Sequence, residues 1–204
     1  MSVELYITYV VACFIFTIIP GPTVTLVAAN SLTHGARAGL LNVLGTQFGL
    51  GVMMIVLAIG LTSVIATLGV WVDWLRLLGA AYLIWLGWKM LRSSGGIEAQ
   101  AGAPAPRGGF VLQGFLVLMG NPKALLWFGA FIPQFVDPST DYVRQVILLG
   151  LTAMAAAAIT DGAYALLGGG ARNLMSKSRV RLVSRIGGLC LIGGGAWLAL
   201  ARSR

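Results

Sequence analysis

Two stretches of this 204-residue sequence place helix-breaking residues inside long apolar runs. One is "TIIPGPTVTLVAAN" (Thr17 to Asn30), and the other is "GFLVLMGNPKALLWFGAFIPQF", which carries Asn121-Pro122 near its middle. Proline has no N–H and clashes with the carbonyl four residues back. Pro20, Pro22 and Pro122 are therefore expected to free the carbonyls of Phe16, Ile18 and Leu118. Each break also starts a new half-helix. Asn121 is a favoured N-cap type and Pro122 suits the first helical position, while Pro22 can open a half-helix running through Thr23 and Thr25. A helix N-terminus offers free N–H groups and a partial positive charge, and so receives anions. A small carboxylate fits such a place, with the Thr23 and Thr25 hydroxyls as extra donors. The plain alternative is a proline kink that only shapes packing.

Two ionisable residues lie deep in apolar surroundings. Lys123 follows Pro122 in the first turn of its half-helix, a poor place for a cation unless something anionic is near. Asp161 sits in "AAAAITDGAYALLGG", in register with Ala153, Ala157, Ala165 and Gly169 at four-residue spacing, a small-residue stripe that predicts tight contact with a neighbouring helix. A charge at membrane depth costs at least about 2.5–3.5 kcal/mol, and such residues usually serve a path for substrate or ions. An acidic group there can trade a proton for a substrate; the alternative is a purely structural Lys123–Asp161 pair. His34, the sole histidine, sits in "SLTHGARAG" and reads as a loop residue. Gln47, Gln113 and Gln134 either line a path or join helices.

The elements that must position these groups follow from composition. Hydrophobic residues make up 58% of the chain and charged residues 10%, against about 25% charged in soluble domains, and mean hydropathy is +0.89. This is an all-helical membrane protein. A span needs about 20 mostly apolar residues, and six are expected: Tyr6 to Asn30, Leu40 to Thr67, Trp71 to Leu91, Phe110 to Val136, Val143 to Gly170 and Val183 to Leu200. "SSGGIEAQAGAPAPRGG" (93–109) has linker composition and separates residues 1–92 from 110–204 within one membrane domain. Three spans on each side imply an inverted repeat whose first helices are both broken, and matched breaks are the best pointer to a transporter's binding site.

The net charge of +8 belongs to single or short groups of basic residues at span ends, so nucleic acid is excluded. With the N-terminus outside, the inner loops hold Arg37, Lys89, Arg92, Arg107, Arg172, Lys177, Arg179, Arg181 and Arg185, and the outer side holds Arg76, Arg144, Arg202 and Arg204. That imbalance favours both termini outside. Only Glu4 is charged before the first long run, so the first segment reads as retained rather than as a signal peptide. Cys13 and Cys190 read as lone buried thiols, with no disulfide or metal site. Trp71, Trp74, Trp85 and Trp88 read as an interfacial belt, and Gly35/Gly39 and Gly45/Gly49 as close-contact pairs. No nucleotide-binding loop occurs and no cofactor is expected. One histidine and one deep aspartate do not make a hydrolytic site.

"PGP" at 20–22, "SLTHGARAGLLNVLGTQFGLGV" (31–52), "LLGAAYLIWLGWKML" (77–91) and "GFLVLMGNPKALLWFGAFIPQFV" (114–136) together resemble the LysE/RhtB family of bacterial amino-acid exporters. The resemblance spans about two thirds of the chain. It implies a secondary carrier of the bacterial cytoplasmic membrane that expels amino acids or close derivatives by proton antiport, and it allows a homodimer. By position, the family's signatures fall on Pro20, Gly21 and Pro22, on Asn121, Pro122 and Lys123, and on Asp161. The expected site is then Pro20, Gly21, Pro22, Thr23, Thr25, Asn121, Pro122 and Lys123 for substrate and Asp161 for the proton. The rival is a channel for a small polar solute, because paired half-helices with a capping asparagine also occur in pores. The glycine-rich final span, "IGGLCLIGGGAWLAL", carries no family hallmark that assigns it partners.

Overall fold

The computed structural model describes residues 1–59, 77–89, 91–92, 106–137, 139–171 and 177–200. Its regular elements are helical. They are α1 (Val3–Ile18), α2 (Pro22–His34), α3 (Ala36–Ala58), α4 (residues 77–89), α5 (Gly109–Met119), α6 (Pro122–Leu126), α7 (Tyr142–Ala171) and α8 (Lys177–Leu200). α6 runs on into a π-helical turn, Trp127–Phe131, and a 3₁₀ turn, Ile132–Phe135.

Both broken runs are bent. The α1–α2 pair turns by 52°, and α5 turns by 54° against Pro122–Phe135. Among the described residues, α3 and α7 are each long and apolar enough to cross a bilayer, and each bent pair would supply one more crossing. The end of the expected second span, Trp71 and Trp74 of the third, most of the linker, and Arg76, Arg172, Arg202 and Arg204 lie outside the described residues. The last helix begins at Lys177, ahead of the expected Val183, and so takes in the basic residues that the sequence suggests for an inner loop.

The bundle is assembled as membrane helices must be. Lipid is as apolar as leucine, so packing and small residues hold helices together. α3 is central and packs on α5, α7 and α2. A β-carbon on Gly45 would run into the Val111 carbonyl oxygen, and one on Gly114 into the Asn42 carbonyl oxygen. α3 and α5 therefore touch backbone to backbone. Because neither backbone can yield, Gly114→Val is expected to destabilise the fold by at least about 1–3 kcal/mol, read as lost thermal stability in detergent.

Gly49 lies against Leu118 in the same seam, but Gly35 does something different from its expected pairing with Gly39. At φ 90 it forms the sharp turn between α2 and α3, a backbone position that side chains resist. Gly39 packs against Ser31 and Ala165.

The glycine-rich α8 finds its partners here. Gly188 meets the carbonyl of Gly87 on α4, Gly195 meets that of Ala80, and Gly194 lies against the rings of Pro22 and Pro122. The last helix therefore touches both breaks at one point. Its Cys190 is exposed, contrary to expectation, while Cys13 is buried; both thiols are free. Many large apolar side chains face outward, among them Ile15, Phe48, Leu151 and Leu167, as a lipid-covered surface requires. Trp85 and Trp88 are exposed beside Lys89 and Arg92, at 5.5 and 4.8 Å from ring centre to cation.

Candidate functional site

Each carbonyl that proline should free has a partner. The Lys123 ammonium donates to the Phe16 carbonyl and, at 2.6 Å, to that of Ile19. The Tyr164 hydroxyl donates to the Ile18 carbonyl at 3.0 Å. Leu118 accepts from the Asn121 N–H at 2.9 Å. In a bilayer an unsatisfied backbone group costs several kcal/mol, which is why the first break needs donors from the second break and from α7. The cation expected to need negative surroundings finds them in the carbonyl end of α1, with the face of Phe16 at 4.4 Å.

The two half-helices differ at their starts. Asn121 caps α6, its side-chain oxygen accepting from the Lys123 N–H at 3.0 Å, with Pro122 next. Its amide nitrogen donates to Thr23 Oγ1 at 3.3 Å. α2 has Gly21 at its cap and no side-chain hydrogen bond there, so no capping side chain takes up the first N–H groups of that helix. Gly21 also lets Lys123 pass: a β-carbon there would stand 3.2 Å from Lys123 Cδ.

A cavity of about 60 Å³ lies between the breaks and α7. Thr23, Asn121, Lys123 and Asp161 line it, with Cys13, Phe16, Leu50, Leu118, Trp127, Ala153 and Ala157 among its apolar walls. One water centre needs roughly 10–15 Å³, so the space takes a few small groups. Asp161 is 5% exposed, and burial and the charge of Lys123 are the influences acting on its carboxyl. Pro20, Pro22, Pro122 and Thr25 do not line the cavity. The prolines shape the breaks around it, and Thr25 closes the first turn of α2 through its N–H to the Gly21 carbonyl at 2.9 Å. Among the described residues no cluster of side chains could hold a metal.

The alanine stripe divides between two tasks. Ala153 and Ala157 border the cavity, whereas Ala165 is buried beside Gly39 and Gly169 lies against Ala36. Phe16, Cys13 and Trp127 belong to the site but carry no signal in the sequence beyond being apolar.

Beyond the site along α2, Asn30 donates to Asn42 at 2.6 Å and to Gln113 at 2.9 Å, and Asn42 donates to the Phe110 carbonyl at 2.7 Å. Gln113 thus joins helices, whereas Gln134 is exposed and, among the described residues, the Gln47 side-chain nitrogen has no hydrogen-bond partner. Interhelical hydrogen bonds in membranes are worth only about 0.6–2 kcal/mol. Gln113→Leu is expected to cost about 1 kcal/mol in thermal unfolding and to leave the protein folded. His34 sits at the end of α2, its ring nitrogen 2.7 Å from Thr33 Oγ1 and its ring beside Phe110.

The profile of the LysE type translocators matches residues 14–202. This chain belongs to that family. The translocator is 31% identical over 197 residues to a leucine efflux protein of Enterobacter sp. (strain 638), covering 94% of this chain and 93% of the relative. It is 29% identical over 168 residues to a homoserine/homoserine lactone efflux protein of Salmonella typhi, with 82% of each covered, and 26% identical over 205 residues to a membrane protein of Vibrio cholerae, with all of both covered. No solved structure matches. The family is one of amino-acid efflux transporters and not of enzymes.

Proposed function

We propose that this translocator is a secondary exporter of amino acids, driven by inward proton flow across the bacterial cytoplasmic membrane. The observation that carries the reading is the meeting of Thr23, Asn121, Lys123 and Asp161, drawn from both breaks and α7, in one cavity. The substrate carboxylate sits on Lys123 and on the first N–H groups of α2. An ammonium has three donors, so Lys123 can keep its two carbonyls and still meet the substrate. Asp161 holds either the substrate ammonium or a proton, never both, and that exclusion couples the two fluxes. Pro20, Gly21, Pro22 and Pro122 hold the breaks open, and Asn121 orients Thr23.

In this reading the chain crosses the membrane six times as two inverted three-helix halves joined by residues 93–109, with its N-terminus outside; a homodimer is compatible with it. Preloaded proteoliposomes test it. An external acid pulse should accelerate saturable efflux of one or a few amino acids. Flux that is unsaturable and indifferent to pH would favour a channel instead, and tight vesicles from which no amino acid leaves would remove the amino-acid reading.

A further inference from the structure

The cavity has two chemically different ends, and the second is not needed to hold the common part of an amino acid. Lys123, Asp161, Thr23 and Asn121 gather near the breaks. α7 leads back from Asp161 past Ala157 to Ala153, eight residues or about 12 Å away. Helical side chains lean toward the N-terminus, so the Asp161 carboxylate leans along α7 toward Ala157, on the side of Ala153. α1 and α7 run side by side in the same direction, tied by the Tyr9 hydroxyl on the Leu149 carbonyl and the Tyr164 hydroxyl on the Ile18 carbonyl, both at 3.0 Å. Between those ties Cys13 and Ala153 both border the cavity.

We infer that Cys13 and Ala153 form the end of the site that receives the substrate side chain, and that they restrict the translocator to compact, uncharged side chains. This inference rests on the exporter reading above. A substrate whose ammonium meets Asp161 and whose side chain follows α7 points toward Ala153. Among the described residues the charged groups lining the cavity are Lys123 and Asp161, while Cys13, Leu50, Leu118 and Ala153 of its walls are uncharged and buried. A cationic or anionic side chain would there lose its hydration with nothing in return.

The walls are also hard to move. Leu118 is pressed on Gly49, the Cys13 carbonyl is held by the Thr17 hydroxyl at 2.9 Å, and Tyr9, one turn before Cys13, is anchored on Leu149. A rigid wall discriminates by size, and one methylene too many in such a pocket costs roughly 10- to 200-fold in rate.

The test uses the full chain in proteoliposomes preloaded with labelled alanine, homoserine, leucine, phenylalanine and lysine. Wild-type protein should release the first three in preference to phenylalanine and lysine. Ala153→Leu, which fills the end of the pocket, should lower leucine efflux about tenfold relative to alanine. Ala153→Gly should move the leucine-to-alanine ratio the other way, and it decides the matter if the leucine variant fails to fold. Lysine released as fast as leucine, or a leucine-to-alanine ratio unchanged in a folded Ala153 variant, would overturn the inference while leaving the exporter reading intact. If wild-type protein releases none of the five from tight vesicles, the exporter reading fails first and this inference with it.

Discussion

Asp161→Asn is expected to abolish the response of export to an acid pulse, leaving at most slow, pH-independent leak, while the protein still folds. Asparagine fills nearly the same space and keeps a polar group in the cavity, but it can neither release a proton nor carry the charge that meets an ammonium group. The fold should survive because the neighbouring cation keeps its other partners: the Lys123 ammonium remains on the carbonyls of Phe16 and Ile19. A buried charge left without partners is strongly destabilising, and here Lys123 keeps two carbonyls. Efflux against external pH, with a thermal melt of the same preparation, reads both halves of the expectation. Undiminished pH-driven export by the folded variant would exclude Asp161 from coupling.

Lys123 should give the second large effect, and two substitutions separate its two tasks. Lys123→Met removes charge and donors together. The Phe16 and Ile19 carbonyls then lose the partner that compensates the Pro20 break, at several kcal/mol for each group left dry, so a large fall in thermal stability and complete loss of export are expected. Lys123→Gln keeps an N–H donor on a shorter side chain without the charge. It should recover a good part of the stability and still bind substrate at least about tenfold more weakly, since charge-assisted hydrogen bonds are roughly twice as strong as neutral ones. Equal stability of the methionine variant and the wild type would show that water replaces the ammonium at the break. Full export by the glutamine variant would show that the charge does not hold the carboxylate.

Much of this architecture was legible in the residues because it follows from rules that act over four positions. A proline at 20, 22 or 122 must free the carbonyl four back, and two of those carbonyls, Phe16 and Ile18, take side-chain partners from other helices. Asn121 before Pro122 reads as a capped helix start and is one. The α7 span was expected over Val143 to Gly170 and runs over Tyr142–Ala171, since nothing in an unbroken apolar run interrupts the ladder.

The site was legible as a set of breaks and deep charges, but not as a geometry. That Lys123 would reach the end of α1 depends on where α6 crosses α1. That the two half-helix starts are unequal depends on Gly21, which cannot cap α2, and on Asn121, which caps its own helix and reaches Thr23 as well. The alanines of α7 promised close packing along the whole stripe; instead Ala153 and Ala157 leave room for a cavity because the bent halves diverge there. The glycines of α8 announced no partner, because a small residue permits a contact without specifying it.

By itself, then, the sequence determined the solvent in which this chain folds, the two places where its helices must break, and the backbone groups those breaks expose, all consequences of local covalent geometry and of transfer to lipid. Only the tertiary structure decided who satisfies them. Lys123 serves α1, Tyr164 serves Ile18, and Gly194 of the last helix lies against Pro22 and Pro122, because pairings across 72 to 172 residues are set by the angles and close approaches of whole helices.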